Sequence, residues 1–132
     1  MIRGYTTIEQ SKVLAKILPH ESADMKWFFW KDEIVKLPTF GYSKVSAEFY
    51  KETEAVYLPC WSLAALLEQL PYELCDDDGN LAYLQMNKED NVYQLVYEDP
   101  YGDFESIETD IYEYFVDACV DMIEKLYELK LI

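Results

Sequence analysis

Pro59-Cys60-Trp61-Ser62-Leu63-Ala64-Ala65-Leu66-Leu67-Glu68-Gln69-Leu70-Pro71 decides how the rest of the chain is read. Between the prolines only Ser62, Glu68 and Gln69 are strongly polar. Proline suits a first helical turn, where its missing N–H would be unpaired anyway, and a second proline disfavours continuation. The stretch therefore predicts a helix over 59–70. Its apolar residues cover most of the circumference, so the helix belongs in the core; at about twelve residues it is too short to cross a bilayer.

On the N-terminal side, Met25-Lys26-Trp27-Phe28-Phe29-Trp30 is a β-favouring run. Alternation places Trp27 and Phe29 on one face, Phe28 and Trp30 on the other. The run reads either as a strand packed on both sides or as an aromatic partner surface. Earlier still, Thr6 or Thr7 can cap a helix over about 7–18, with Glu9 and Gln10 as capping-box partners and Ile8, Leu14, Ile17 and Leu18 as its apolar side. Residues 31–57 show turn signals and a weak helical tendency over Ser46–Ala55, without a clean period.

On the C-terminal side, Asp76-Asp77-Asp78-Gly79-Asn80 invites a calcium loop. With Gly79 at the sixth position of an EF-hand, Asp76 and Asp78 fit, but the first position falls on Leu74 and the twelfth on Gln85. An ordinary turn is the simpler reading. Leu81–Asn87 and Val92–Glu98 form a hairpin with a four-residue connection, Lys88–Asn91. Last comes an amphipathic helix over about 110–130, capped by Thr109 or Asp110. Its core stripe is Ile111, Phe115, Ala118, Cys119, Met122, Ile123 and Leu126. Opposite stand Glu113, Asp117, Asp121, Glu124 and Glu128, an acidic row about 22 Å long. DNA carries a phosphate about every 3.4 Å of one strand, so mimicry of a nucleic-acid backbone is one role for this row.

Composition sets the class. A chain of 132 residues, 51% hydrophobic and 16% aromatic, can bury a core and is not disordered. No linker or repeat divides it, which predicts a single domain over 1–132. The net charge is −15, and residues 1–66 are neutral, with eight basic and eight acidic residues. Residues 67–132 set Lys88, Lys125 and Lys130 against eighteen acids. Such a field repels nucleic acid and anionic membranes and favours a basic protein partner. An exposed aromatic strand would also permit a homodimer.

Catalytic patterns are missing. Gly4, Gly41, Gly79 and Gly102 are isolated, so no glycine loop cradles phosphate, and His20 stands alone among histidines. Cys60, Cys75 and Cys119 are too far apart for a zinc knuckle or redox pair and read as free thiols in a reducing cytoplasm. The N-terminus lacks an apolar signal core, and no run approaches a membrane span. These features predict no enzyme, no cofactor and no metal.

Pro59–Pro71, Val116–Leu126 and Glu21–Met25 resemble segments of small uncharacterised proteins from phages and mobile elements of gut Bacteroidales. The matching motifs are core-like, so the resemblance implies an accessory role and assigns no site residue. The expected fold is α+β: an antiparallel hairpin over 81–98, extended by strand 25–30, on helices near 7–18, 59–70 and 110–130. The expected function is a protein-interaction module acting through Trp27–Trp30 or the acidic row. The alternatives are an acidic inhibitor, mimicking nucleic acid or neutralising a basic toxin, and a small acid-catalysed or cation-dependent enzyme.

Overall fold

The computed structural model describes residues 3–30, 33–40 and 55–132. The fold is α+β, with two antiparallel sheets. Its contacts gather into two compact units, Gly4–Ala65 and Leu66–Ile132 together with Arg3. The step in charge between residues 1–66 and 67–132 falls at this division.

In the first unit, helix α1 spans Ile8–Ile17 and is capped by Thr7. The Thr7 hydroxyl accepts from Gln10 N at 3.1 Å and the Gln10 side chain accepts from Thr7 N at 3.0 Å, closing the predicted capping box. Strands β1 (Met25–Trp30), β2 (Glu33–Phe40) and β3 (Ala55–Cys60) form a sheet in the order β2-β1-β3. The alternation in β1 holds: Met25 and Trp27 are buried with Cys60, and Phe29, Leu58, Tyr5 and Ile8 pack against them. The run thus belongs to its own sheet and does not extend the 81–98 hairpin.

Pro59 corrects the helix expected over 59–70. It lies in β3, opposite Lys26. Because β3 is an edge strand, a residue lacking an N–H is tolerated there. Helix α2 is only Leu63–Glu68, and Ser62 opens it, its hydroxyl accepting from Ala65 N at 3.2 Å. Asp24 in turn accepts from both Ser62 N (2.9 Å) and the Ser62 hydroxyl. The other edge, β2, contains Pro38, and its register against β1 shifts between Lys26 and Phe28, opposite that proline. The helical tendency over 46–55 lies outside the described residues, except for Ala55, which begins β3.

In the second unit, β4 (Glu73–Cys75), β5 (Leu81–Glu89), β6 (Val92–Glu98) and β7 (Ile107–Glu108) form a sheet in that order. The hairpin connection is two residues rather than four. Asp90 and Asn91 have φ of 47° and 66°, the left-handed pair that matches strand twist and that Asp and Asn accept readily. Asp76 is a turn residue, accepting from Asp78 N at 3.0 Å and Asn80 N at 2.8 Å. Among the described residues no three His, Cys, Asp or Glu side chains gather as a metal group.

Helix α3 runs Phe115–Glu128, five residues later than the capping signals suggest. Thr109 is buried and its hydroxyl is committed elsewhere, accepting from Leu95 N at 3.1 Å and donating to Asp110 O at 2.8 Å. Ile111, expected in the stripe, is 65% exposed because it precedes the helix. The rest of the stripe is core: Ala118, Cys119, Met122, Ile123 and Leu126 are fully buried, and Phe115 stacks on Tyr93 at 5.4 Å. Leu95 and Tyr97 of β6 are buried too, and the Tyr97 hydroxyl donates to Pro71 O at 2.5 Å.

This packing sets an alkaline limit. Burial pushes the Cys119 thiol up to about 12 from 9.0. Desolvation, and then the hydrogen bond to Asp121, push the Tyr112 hydroxyl up to about 12 from 10.0. The folded chain therefore keeps protons that the unfolded chain releases, and stability falls as pH rises. Urea midpoints should be level to about pH 9 and drop progressively to about pH 12. A flat profile across that window contradicts this assignment.

Candidate functional site

The sheet of the second unit has a largely buried inner face and an outer face whose glutamates are exposed, although Val96 on that outer face is only 7% exposed. Register puts Leu74, Ala82 and Tyr97, then Leu95, on the inner side. The outer side begins with a row that crosses three strands, Glu73–Tyr83–Glu98. The next row is Gln85–Val96–Glu108, and Asn87 pairs with Gln94 beyond it. Strands lie about 4.8 Å apart, so Glu73 and Glu98 flank Tyr83 at a backbone separation of about 10 Å. Tyr72, 75% exposed, meets the Tyr83 ring at 5.8 Å. Glu73, Glu98 and Glu108 are exposed, and among the described residues no cationic side chain pairs with them.

The acidic row on α3 is different. Glu113 is exposed but lies before the helix begins. Asp117 forms an ion pair with Arg3, whose guanidinium also stands 4.9 Å over the Tyr114 ring. Asp121 accepts from Asp110 N at 3.1 Å and the Tyr112 hydroxyl at 2.9 Å, with Lys125 Nζ at 3.4 Å. Both carboxylates are half-buried structural groups. Desolvation first, then the charges of Asp121 and Glu128, raise the Glu124 carboxyl, with Lys125 acting against them. Glu128 is exposed in the last turn. The continuous row of the helical projection is thus interrupted.

No protein-family model matches the chain, nor does any curated protein or solved structure resemble it significantly. The functional reading therefore rests on the chemistry of these surfaces.

Of the aromatic run, Trp27 is buried and Phe28 and Phe29 are half-buried. Trp27 is 8% exposed, its indole N–H donates to Thr6 O at 3.2 Å, and Tyr5 meets it edge-on at 5.8 Å. It is a core residue, which corrects its place among the surface candidates. Phe29 is half-buried against that core. Phe28, also half-buried, lies on the opposite face of β1. Trp30 ends the strand in register with Glu33 and Ala55.

Cys60 and Cys119 are buried free thiols, and burial raises the Cys60 pKa as it does that of Cys119. Neither suits a nucleophile, which needs the thiolate. His20 sits in an exposed 3-10 turn with Nε2 3.2 Å from Ala15 O. No helix among the described residues is long and apolar enough to cross a membrane.

Sequence reasoning missed the glutamate face because β4 and β7 have only three and two residues, too short for a visible alternation. The signal that could have found it is the period-two alternation of the hairpin, whose register sets Tyr83, Gln85, Gln94 and Glu98 on the face opposite Leu95 and Tyr97.

Proposed function

We propose that the chain is a non-enzymatic protein-interaction module whose acidic second unit takes a basic partner. The observation that carries this reading is the outer sheet face, where exposed Glu73 and Glu98 flank Tyr83 and exposed Glu108 stands beside the buried Val96, without cationic partners among the described residues. A β-sheet fixes backbone positions, so these charges are preorganised at low entropic cost. Exposed Tyr72, packed on half-buried Tyr83 between them, offers amphipathic contact area, and tyrosine is a residue type enriched at interfaces. Free thiols fit a cytoplasmic setting, and the resemblance to mobile-element proteins fits an accessory role. Nucleic-acid mimicry along α3 is the weaker alternative, because Asp117 and Asp121 are already engaged by Arg3 and Lys125.

A charge-reversal pair tests the reading with fluorescent octalysine as the probe. Glu73→Lys with Glu98→Lys should weaken binding to the full chain about tenfold or more at low salt. Asp77→Lys with Asp78→Lys changes net charge equally but in the turn, and should weaken binding far less. Equal losses in the two pairs would show that the probe senses net charge alone, and the sheet face would lose its assignment.

A further inference from the structure

The second unit carries a groove of about 420 Å³ lined by Glu105, Ser106, Ile107, Glu108 and Leu129. Its walls combine two carboxylates, a hydroxyl and two aliphatic side chains, and Leu129 is 55% exposed. It runs beside β7, which ends the sheet. The register gives this edge a definite polarity. Thr109 N donates to Leu95 O, so the alternation of an antiparallel ladder makes Val96–Glu108 a non-hydrogen-bonded pair. The N–H and C=O of Glu108 therefore point away from β6, towards the sheet edge, where no strand among the described residues pairs with them.

We propose that this groove takes an extended basic segment of a partner protein, added to β7 as a fifth strand with a lysine seated in the groove. The proposal deepens the interaction-module reading and rests on it. Backbone pairing to Glu108 would supply affinity, as in other strand-addition complexes. A lysine on the inner side of the added strand would lay its stem along Ile107 and Leu129 with its ammonium towards Glu105, and a neighbouring basic residue on the outer side would meet the Glu108 carboxylate. Complementarity selects the occupant. All net charge lies in residues 67–132, so a second copy would bring eighteen acids against eighteen, whereas a basic segment is attracted.

The test uses the full chain and a fluorescent, acetylated hexapeptide alternating threonine and lysine. Two features separate strand addition from simple attraction. N-methylation of the peptide amides along one edge removes backbone donors and keeps every charge, and it should weaken binding at least about tenfold. Glu108→Gln removes the carboxylate alone, whereas Glu108→Pro also removes the outward N–H without touching the bonds to β6. The proline variant should bind markedly more weakly than the glutamine variant.

If the methylated peptide binds as well as its parent, strand addition is overturned. The N-methyl comparison uses the unaltered chain and decides the matter even if Glu108→Pro misfolds. In that event, a continued effect of the Glu73 and Glu98 reversals keeps the broader module reading, and no effect removes both. A peptide-free dimer that Glu108→Pro dissociates would also overturn the proposal, since the occupant would then be a second copy.

Discussion

Trp61→Ala is expected to cost about 4 kcal/mol, towards the upper end for truncation of a core side chain. Trp61 follows β3 and is fully buried. Its indole N–H donates to the Ser22 hydroxyl at 2.9 Å, its backbone N–H to the Thr6 hydroxyl at 3.1 Å, and its carbonyl accepts from Thr6 N at 3.0 Å. Alanine keeps the two backbone bonds but leaves a ring-sized cavity and removes the indole donor from the Ser22 hydroxyl, which keeps its own bond to Pro19 O. Small domains have about 5–15 kcal/mol in total, so the variant should be close to its unfolding midpoint in mild urea. Circular dichroism during urea unfolding reads the loss without relying on tryptophan emission. Trp61→Phe, which fills most of the space, should lose less than half as much. A cost under about 1 kcal/mol for the alanine variant would mean that the ring is not part of the core.

Asp99→Ala is expected to cost about 2–3 kcal/mol and to loosen the edge at which the proposed partner binds. Asp99 is 8% exposed, and its carboxylate accepts from three backbone donors: Tyr101 N at 2.8 Å, Asp103 N at 3.0 Å and Phe104 N at 2.9 Å. Around it the chain turns through Gly102 at φ +77°, a conformation that glycine adopts without strain. The clamp sets the path from β6 to Glu105–Glu108, two of whose residues are the groove carboxylates. Without the carboxylate those donors lose their acceptor, and the buried Phe104 loses its anchor. Amide hydrogen exchange should accelerate over residues 101–108 while α3 stays protected. Asp99→Asn keeps an acceptor oxygen and should give an intermediate result. Unchanged exchange over 101–108 would contradict the role assigned to the clamp.

Local signals account for much of the fold. The capping box at Thr7–Gln10 and the 3.6-residue stripe from Phe115 to Leu126 are read within a few residues, where neighbouring groups satisfy one another. The alternation of Trp27 and Phe29 also survives, since a strand fixes faces whatever its partner. What escaped depends on distant residues. Pro59 reads as a helix start until β1 is seen beside it, which makes it an edge residue opposite Lys26. Thr109 reads as a cap until Leu95 N is found on its hydroxyl. Thr6 reads as a cap too, yet it is a fully buried hub, bonded to Trp61 and 2.7 Å from the Ser11 hydroxyl. The acidic helix illustrates the same point for function. A helical projection places Asp117 and Asp121 in an open row, but Arg3, more than a hundred residues away, holds one, and Tyr112 and Lys125 hold the other. The glutamates that remain free to meet a partner come largely from strands too short to announce themselves.

The interaction reading stands or falls on whether the outer sheet face and β7 edge of the second unit receive a basic partner. Backbone amide NMR of the full chain titrated with octalysine maps that contact residue by residue. Shift changes should concentrate at Glu73, Tyr83, Glu98 and residues 105–108 and be reversed by added salt, with little change at Trp27 and its neighbours. Changes centred on Asp117–Glu128, or spread evenly over every exposed acid, would contradict it.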